Sequence, residues 1–209
     1  MSSSTAQATT NTNNLELNKG DQFIIGLDIS GSMQATDCPG GLSRIQTVLE
    51  TCKTFVREAA KYDPDGISFY PFGAQVHAYR DQTPDAIDVM ISKIKLEGAT
   101  MTHLAINEAY KEHKEKKNEQ TFFFLFTDGE PTDPDAVKDA IIRIANDVAD
   151  EKEFRIGIIT VGVRSASLNQ YLIDLDNNLK SAGAKYDIVS VNRLEEVDFM
   201  SEVMNALNG

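Results

Sequence analysis

The sequence predicts an α/β domain whose sheet is doubly wound, mostly parallel and six-stranded, with one antiparallel edge strand and helices on both faces. Three observations carry this. Two short apolar runs, Phe23-Ile24-Ile25-Gly26-Leu27 and Phe122-Phe123-Phe124-Leu125-Phe126, each stop in a polar turn, as strands buried on both faces do. Between and after them, apolar runs alternate with stretches whose apolar residues recur at helical spacing. Two further runs lie too close together for a helical crossover and must pair antiparallel.

In chain order, residues up to about Asn14 are almost wholly Ser, Thr, Ala, Gln and Asn, so 1–18 reads as a disordered polar tail and 19–209 as one domain. The first strand spans Gln22 to Ile29. The loop after Met33 holds Pro39-Gly40-Gly41, which demands turn geometry, and Ser43 caps a long helix reaching about Tyr62. Ile45, Val48, Leu49, Cys52, Phe55, Val56 and Ala59 form its apolar face.

Asp63-Pro64-Asp65-Gly66 ends that helix, and the runs Ile67 to Phe72 and Gln75 to Tyr79 form the antiparallel hairpin. Thr83-Pro84 opens a helix carrying Ile87, Met90, Ile91 and Ile94, which stops before Gly98. A further helix runs from about His103 to Lys116, polar at its far end. After the strand Phe122 to Phe126 come a helix with Val137, Ile141, Ile144 and Val148, a strand from Arg155 to Val161, a helix from Leu168 to Ser181, a strand from Asp187 to Val191, and a closing helix ending near Leu207.

With 209 residues and 41% hydrophobic content, the chain suits one well-filled core. Its formal net charge of -12 argues against nucleic acid or an anionic membrane as partner, because phosphate would repel it, and favours a divalent cation. Cys38 and Cys52 follow no zinc spacing. Cys52 belongs to the apolar helix face, and Cys38 lies in the loop near the first polar turn. No window offers a signal-peptide core or a membrane span, so a reduced cytoplasmic setting is expected.

Three polar loops stand where strands end or helices begin: Asp28-Ile29-Ser30-Gly31-Ser32, Gly98-Ala99-Thr100-Met101-Thr102, and Thr127-Asp128-Gly129. In open α/β sheets ligands bind beyond the carboxyl ends of the strands. The loops offer hydroxyls and carboxylates without imidazole or thiolate, a donor set for a hard divalent cation, Mg²⁺ first and Ca²⁺ or Mn²⁺ next. The alternate spacing at 28, 30 and 32 turns several side chains onto one centre, with Gly31 allowing a close backbone. Glu130, Asp133 and Asp37 read as solvated surface charge, His103 as a surface or capping residue, and His77 and His113 carry no functional signal.

On these residues the sequence resembles a von Willebrand factor type A domain with the metal-ion-dependent adhesion site of that family, from about Gln22 to Leu207. Asp28, Ser30 and Ser32 match its Asp-x-Ser-x-Ser motif, Thr100 its second-loop threonine and Asp128 its third-loop aspartate. Thr102 is then a helix cap. The resemblance implies a Rossmann-like fold and an incomplete metal shell that a Glu or Asp of a partner protein fills. With no signal-peptide pattern and two cysteines, the chain is expected to be less like the family's secreted adhesive members than like its intracellular ones, which assemble complexes and often work beside AAA-type ATPases.

Two other classes compete. A haloacid-dehalogenase-type phosphohydrolase also places Asp at the end of its first strand, as a nucleophile, with a second Asp two residues on; here position 30 is Ser. A scaffold with a purely structural metal site would keep the same five ligands.

Overall fold

The computed structural model describes residues 17–117, 120–162 and 165–194. The expectations for residues 1–16 and for the closing helix lie outside them. The described strands are β1 (Gln22–Asp28), β2 (Ile67–Phe72), β3 (Tyr79–Gln82), β4 (Thr121–Thr127), β5 (Phe154–Thr160) and β6 (Val189–Arg193). The described helices are α1 (Arg44–Ala59), α2 (Ile87–Lys93), α3 (Thr102–Lys116), α4 (Pro134–Asp147) and α5 (Ala166–Asn177). These residues form a six-stranded sheet in the order β3-β2-β1-β4-β5-β6, with only β2 and β3 antiparallel.

Every residue of β1 and β4 is buried, so alternate side chains feed two separate cores. Phe23, Ile25 and Leu27 of β1 join Phe122, Phe124 and Phe126 of β4 under α1 and α2. Ile24, Phe123 and Leu125 face the other way, under α3, α4 and α5. Phe23 stacks on Phe122 at 5.4 Å between ring centroids, and Phe55 of α1 meets Phe124 edge-on at 5.0 Å. This packing ties α1 to the two central strands.

The strand order reverses at β1. The chain builds β2 and β3 on one side and then returns to lay β4 on the other. Connections therefore leave the carboxyl ends of β1 and β4 in opposite directions and open a crevice between them. Ser43 starts α1 with a reciprocal cap: its Oγ accepts from Gln46 N at 3.3 Å, and its N–H donates to Gln46 Oε1 at 2.9 Å.

Two expectations are revised. The antiparallel edge strand is Tyr79–Gln82, not Gln75 to Tyr79, because a turn takes up the intervening residues, with Gly73 N donating to Gln75 O and His77 N to Pro71 O. Its side chains are held by ion pairs, Arg80 to Glu115 and Lys116 to Asp81. Thr102 is the first residue of α3 and does not cap it; Met101 stands at the cap position. The far end of α3 is polar but buried. There Glu112, with no exposure, accepts from Gln22 Nε2 at 2.8 Å, Ser68 Oγ at 2.7 Å and Tyr70 Oη at 2.6 Å. His113 bonds Thr121 Oγ1 at 2.8 Å and Glu153 Oε1 at 3.1 Å. At the other border, Leu17 packs on the core and Asn18 N donates to Asp21 Oδ2 at 2.7 Å.

Gly26, in the middle of β1, has no spare room: a Cβ there would lie 2.7 Å from Phe123 Cζ and 2.9 Å from Leu125 Cδ1. Gly26→Ala is therefore expected to cost about 1–3 kcal/mol by overpacking, read as a lower denaturant midpoint at unchanged m. A neutral substitution would contradict the tight contact of β1 with β4.

Candidate metal centre

Asp28 ends β1 with no exposure to solvent. Both its oxygens are engaged: Oδ1 accepts from Ser30 N at 2.8 Å and Oδ2 from Thr127 Oγ1 at 2.7 Å. Thr127 is the last residue of β4, so this bond ties the ends of β1 and β4 together at the base of the crevice. Burial pushes the Asp28 carboxyl up to about 6, because its charge has been taken out of water. The bonds from Thr127 and Ser30 pull the other way, and the neighbouring charge of Asp128 adds a further upward push.

Beyond Asp28 the backbone makes a short 3₁₀ turn over Gly31–Gln34, with Ser30 at its cap position. Ser30 Oγ and Ser32 Oγ lie 3.0 Å apart, and Ser32 Oγ donates to Asp128 Oδ1 at 2.8 Å. The other oxygen of Asp128 accepts from Arg44 Nη1 at 2.8 Å. The Arg44 guanidinium also forks onto Asp37, with Nε to Oδ1 at 2.8 Å and Nη2 to Oδ2 at 2.5 Å. Arg44 N donates to Ala35 O at 2.9 Å, which folds the loop of residues 31–43 back over the site.

The second loop is stitched to both others by backbone. Glu97 N donates to Ile29 O at 2.7 Å, and Thr100 and Thr132 pair through Thr100 N to Thr132 Oγ1 at 2.9 Å and Thr132 N to Thr100 O at 3.0 Å. Ala99 takes a left-handed φ of 61° to make that turn. Of the five predicted site residues, hydrogen bonds link Ser30, Ser32 and Asp128 side chain to side chain and Asp28 to the Ser30 backbone. Thr100 is brought in through its main chain. Thr102 Oγ1 reaches only Thr100 O, at 3.5 Å.

The remaining candidates fall into structural roles. Asp133 caps α4 by accepting from Ala136 N at 2.9 Å, Glu130 is exposed, and His103 is half-buried in the first turn of α3. His77 contacts Glu97 at 2.6 Å beside the second loop. Sequence reasoning passed over Arg44, Thr127 and Thr132 and left Asp37 as free surface charge. One signal was available for Arg44: a cation in the first turn of a helix has the wrong sign for the helix dipole, and so requires acidic neighbours.

The residues fit a hard divalent cation. Ser30, Ser32 and Asp128 bring hydroxyl and carboxylate oxygens into one hydrogen-bonded run, the donor types a hard divalent cation takes. Among the described residues no group of three or more His, Cys, Asp or Glu side chains could hold a metal, so the candidate centre relies on hydroxyls beside its two carboxylates. None of their helices is long and apolar enough to cross a membrane.

Fold and site together define a doubly wound α/β domain with an oxygen-donor centre at its topological switch point. The chain belongs to the von Willebrand factor type A domain family, whose model matches residues 24–200, a family of protein-interaction and adhesion modules. No curated protein matches it significantly in sequence. Among solved structures it resembles a D319A mutant of the PilB minor pilin from Streptococcus sanguinis, with TM-score 0.62 and 10% identity over 92% of this chain and 60% of the pilin. Manganese-loaded TRAP protein from Plasmodium vivax gives TM-score 0.60 and 12% identity over 91% of this chain and 73% of that one. The vWF domain of the type V pili tip protein Mfa5 from Porphyromonas gingivalis gives 0.55 and 10%, covering 92% and 94%. At such identities the likeness is one of fold.

The raised carboxyl of Asp28 has a signed consequence for stability. Native Asp28 holds its proton more tightly than the unfolded chain does, so stability falls as pH rises from 3.8 through about 6, and the full cost of the buried charge is present above that. Asn at this position keeps the acceptor for Ser30 N and can donate to Thr127 Oγ1. In chelator at pH 8, Asp28→Asn is expected to unfold about 1–3 kcal/mol harder than wild type, with the gain gone near pH 4. A gain independent of pH would show that charge burial is not its source.

Proposed function

We propose that the chain is a metal-dependent protein-binding module. In this reading Asp28, Ser30, Ser32, Thr100 and Asp128 form a metal-ion-dependent adhesion site for Mg²⁺, with Mn²⁺ or Ca²⁺ as substitutes, and a Glu or Asp of a partner protein completes it. The observation that carries the reading is the run of side-chain oxygens from Ser30 through Ser32 to Asp128 at the switch-point crevice, where Ser32 is exposed. When bound, the cation supplies an electrophilic position for an incoming carboxylate. The hydroxyls of Ser30, Ser32 and Thr100 would hold it together with Asp128, and Asp28 would fix the loop through Ser30 N from behind.

One protein of the same fold, TRAP of P. vivax, was solved loaded with manganese. Cys38 and Cys52 are free thiols buried in the same core, which is compatible with a reducing cytoplasmic setting. The geometry speaks against the phosphohydrolase. Its nucleophile would be Asp28, whose two oxygens are buried and already hydrogen-bonded, so neither faces a phosphoryl group.

Mg²⁺ or Mn²⁺ at about a hundredfold over its Kd is expected to raise the melting temperature by about 5–10 °C through mass action, and Ser30→Ala with Ser32→Ala to remove the rise. A melt insensitive to chelator would count against the site. Capture of partner protein is expected to depend on Mg²⁺ for wild type and to be lost in Asp28→Ala. Capture that survives both chelator and the substitution would place the interface elsewhere.

A further inference from the structure

Arg44 is the feature that the adhesion-site reading leaves unused. Its guanidinium directs three N–H groups at two carboxylates: Nε and Nη2 fork onto Asp37, and Nη1 reaches Asp128 Oδ2 at 2.8 Å. The Asp128 side chain has no exposure and that of Arg44 only 13%, while Asp37 retains 28%. The path of the side chain is fitted. It lies over Gly162 just beyond β5, where a Cβ would come within 2.3 Å of Arg44 Nε. The fork on Asp37 alone would pin the loop of residues 31–43 to α1, so the third bond is not needed for that.

The third bond instead occupies an oxygen of one of the five proposed ligands. With Ser32 Oγ on Oδ1, both oxygens of Asp128 are satisfied within the protein. A dication drawing on Asp128 must share it with a positive charge that already neutralises it. If Nη1 is released, the two charge-assisted bonds to Asp37 still hold the guanidinium.

We propose that Arg44 is a built-in counter-cation of the site, resting on Asp128 when no metal is bound and retained by Asp37 when Asp128 serves the metal, so that the Arg44–Asp37 pair sets the divalent-cation affinity. This rests on the reading of the site as a cation centre. Arg44 thereby competes with the metal, and Asp37 favours the metal by holding Arg44 away.

The test is a Mn²⁺ titration by calorimetry on the full chain, paired with melting in chelator. Arg44→Gln removes the repelling charge and is expected to bind Mn²⁺ roughly ten- to a hundredfold more tightly while melting lower without metal. Asp37→Asn removes the negative charge that draws Arg44 away from Asp128 and is expected to weaken Mn²⁺ binding by roughly three- to tenfold. Arg44→Lys keeps the charge and should stay within about threefold of wild type. Opposite shifts in the first two variants support the proposal, because an ion pair with a merely structural role would weaken binding, or leave it alone, in both. Should Arg44→Gln melt too low to titrate, Arg44→Met, which keeps the stem that packs over Gly162, is titrated in its place: tighter Mn²⁺ binding supports the proposal, and unchanged or weaker binding overturns it. Wild-type binding with no shift in either variant overturns this inference alone. Absence of Mn²⁺ binding in all of them overturns it together with the cation reading.

Discussion

A carboxylate at the end of a strand buried on both faces is the constraint on which this structure turns. Asp28 lies between β2 and β4, and its desolvation must be offset locally. Thr127 Oγ1 and Ser30 N supply the two hydrogen bonds, and each has a structural consequence. The bond to Ser30 N fixes the sharp turn that sets Ser30 and Ser32 side by side. The bond from Thr127 fixes the end of β4, and with it the position of Asp128. The hydroxyl and carboxylate cluster thus follows from satisfying one buried charge at the point where the strand order reverses.

The central part of the fold was legible in the sequence because it depends on local pattern. Short continuous apolar runs bounded by turns read as strands buried on both sides, and β1, β2 and β4 lie within one or two residues of where those runs stand. The edge strand was displaced because Tyr79-Arg80-Asp81-Gln82 is held by charges. Arg80 and Asp81 find partners on α3, which no periodicity in their own neighbourhood announces. Glu112 was obscure for the same reason, although it continues the inner face set by Ala105 and Ala109 at helical spacing. A charged residue on an apolar face was the signal, and its partners Gln22, Ser68 and Tyr70 are remote in sequence.

In the candidate site, what could be read was the set of residue types, and what could not was their pairing. Asp28, Ser30, Ser32 and Asp128 were visible because short loops after apolar strands restrict where side chains go. That Thr127 bonds Asp28, that Thr132 clasps Thr100, and that Arg44 bridges Asp37 to Asp128 are choices among equally polar neighbours, made by tertiary contact. Only Arg44 broke a local rule. A positive charge on the first residue of α1 opposes the helix dipole, and the two carboxylates that compensate it are the ones flanking the site.

The sheet buries a carboxylate at each end, and the two clusters differ in where their bonds lead. Glu112 is enclosed by Gln22, Ser68 and Tyr70, with Lys116 Nζ at 3.5 Å, so its charge is met by groups of its own fold and nothing from solvent is required. Asp28 and Asp128 are buried as deeply, yet the chain of bonds leaving them runs outward through Ser30 to the exposed Ser32, and through Arg44 to the part-exposed Asp37. Those outer hydroxyls bond one another and a carboxylate that also accepts from a guanidinium. Buried polarity is therefore common to both ends. What distinguishes the β1–β4 end is that its bonds lead out to an exposed hydroxyl, Ser32, and a part-exposed carboxylate, Asp37.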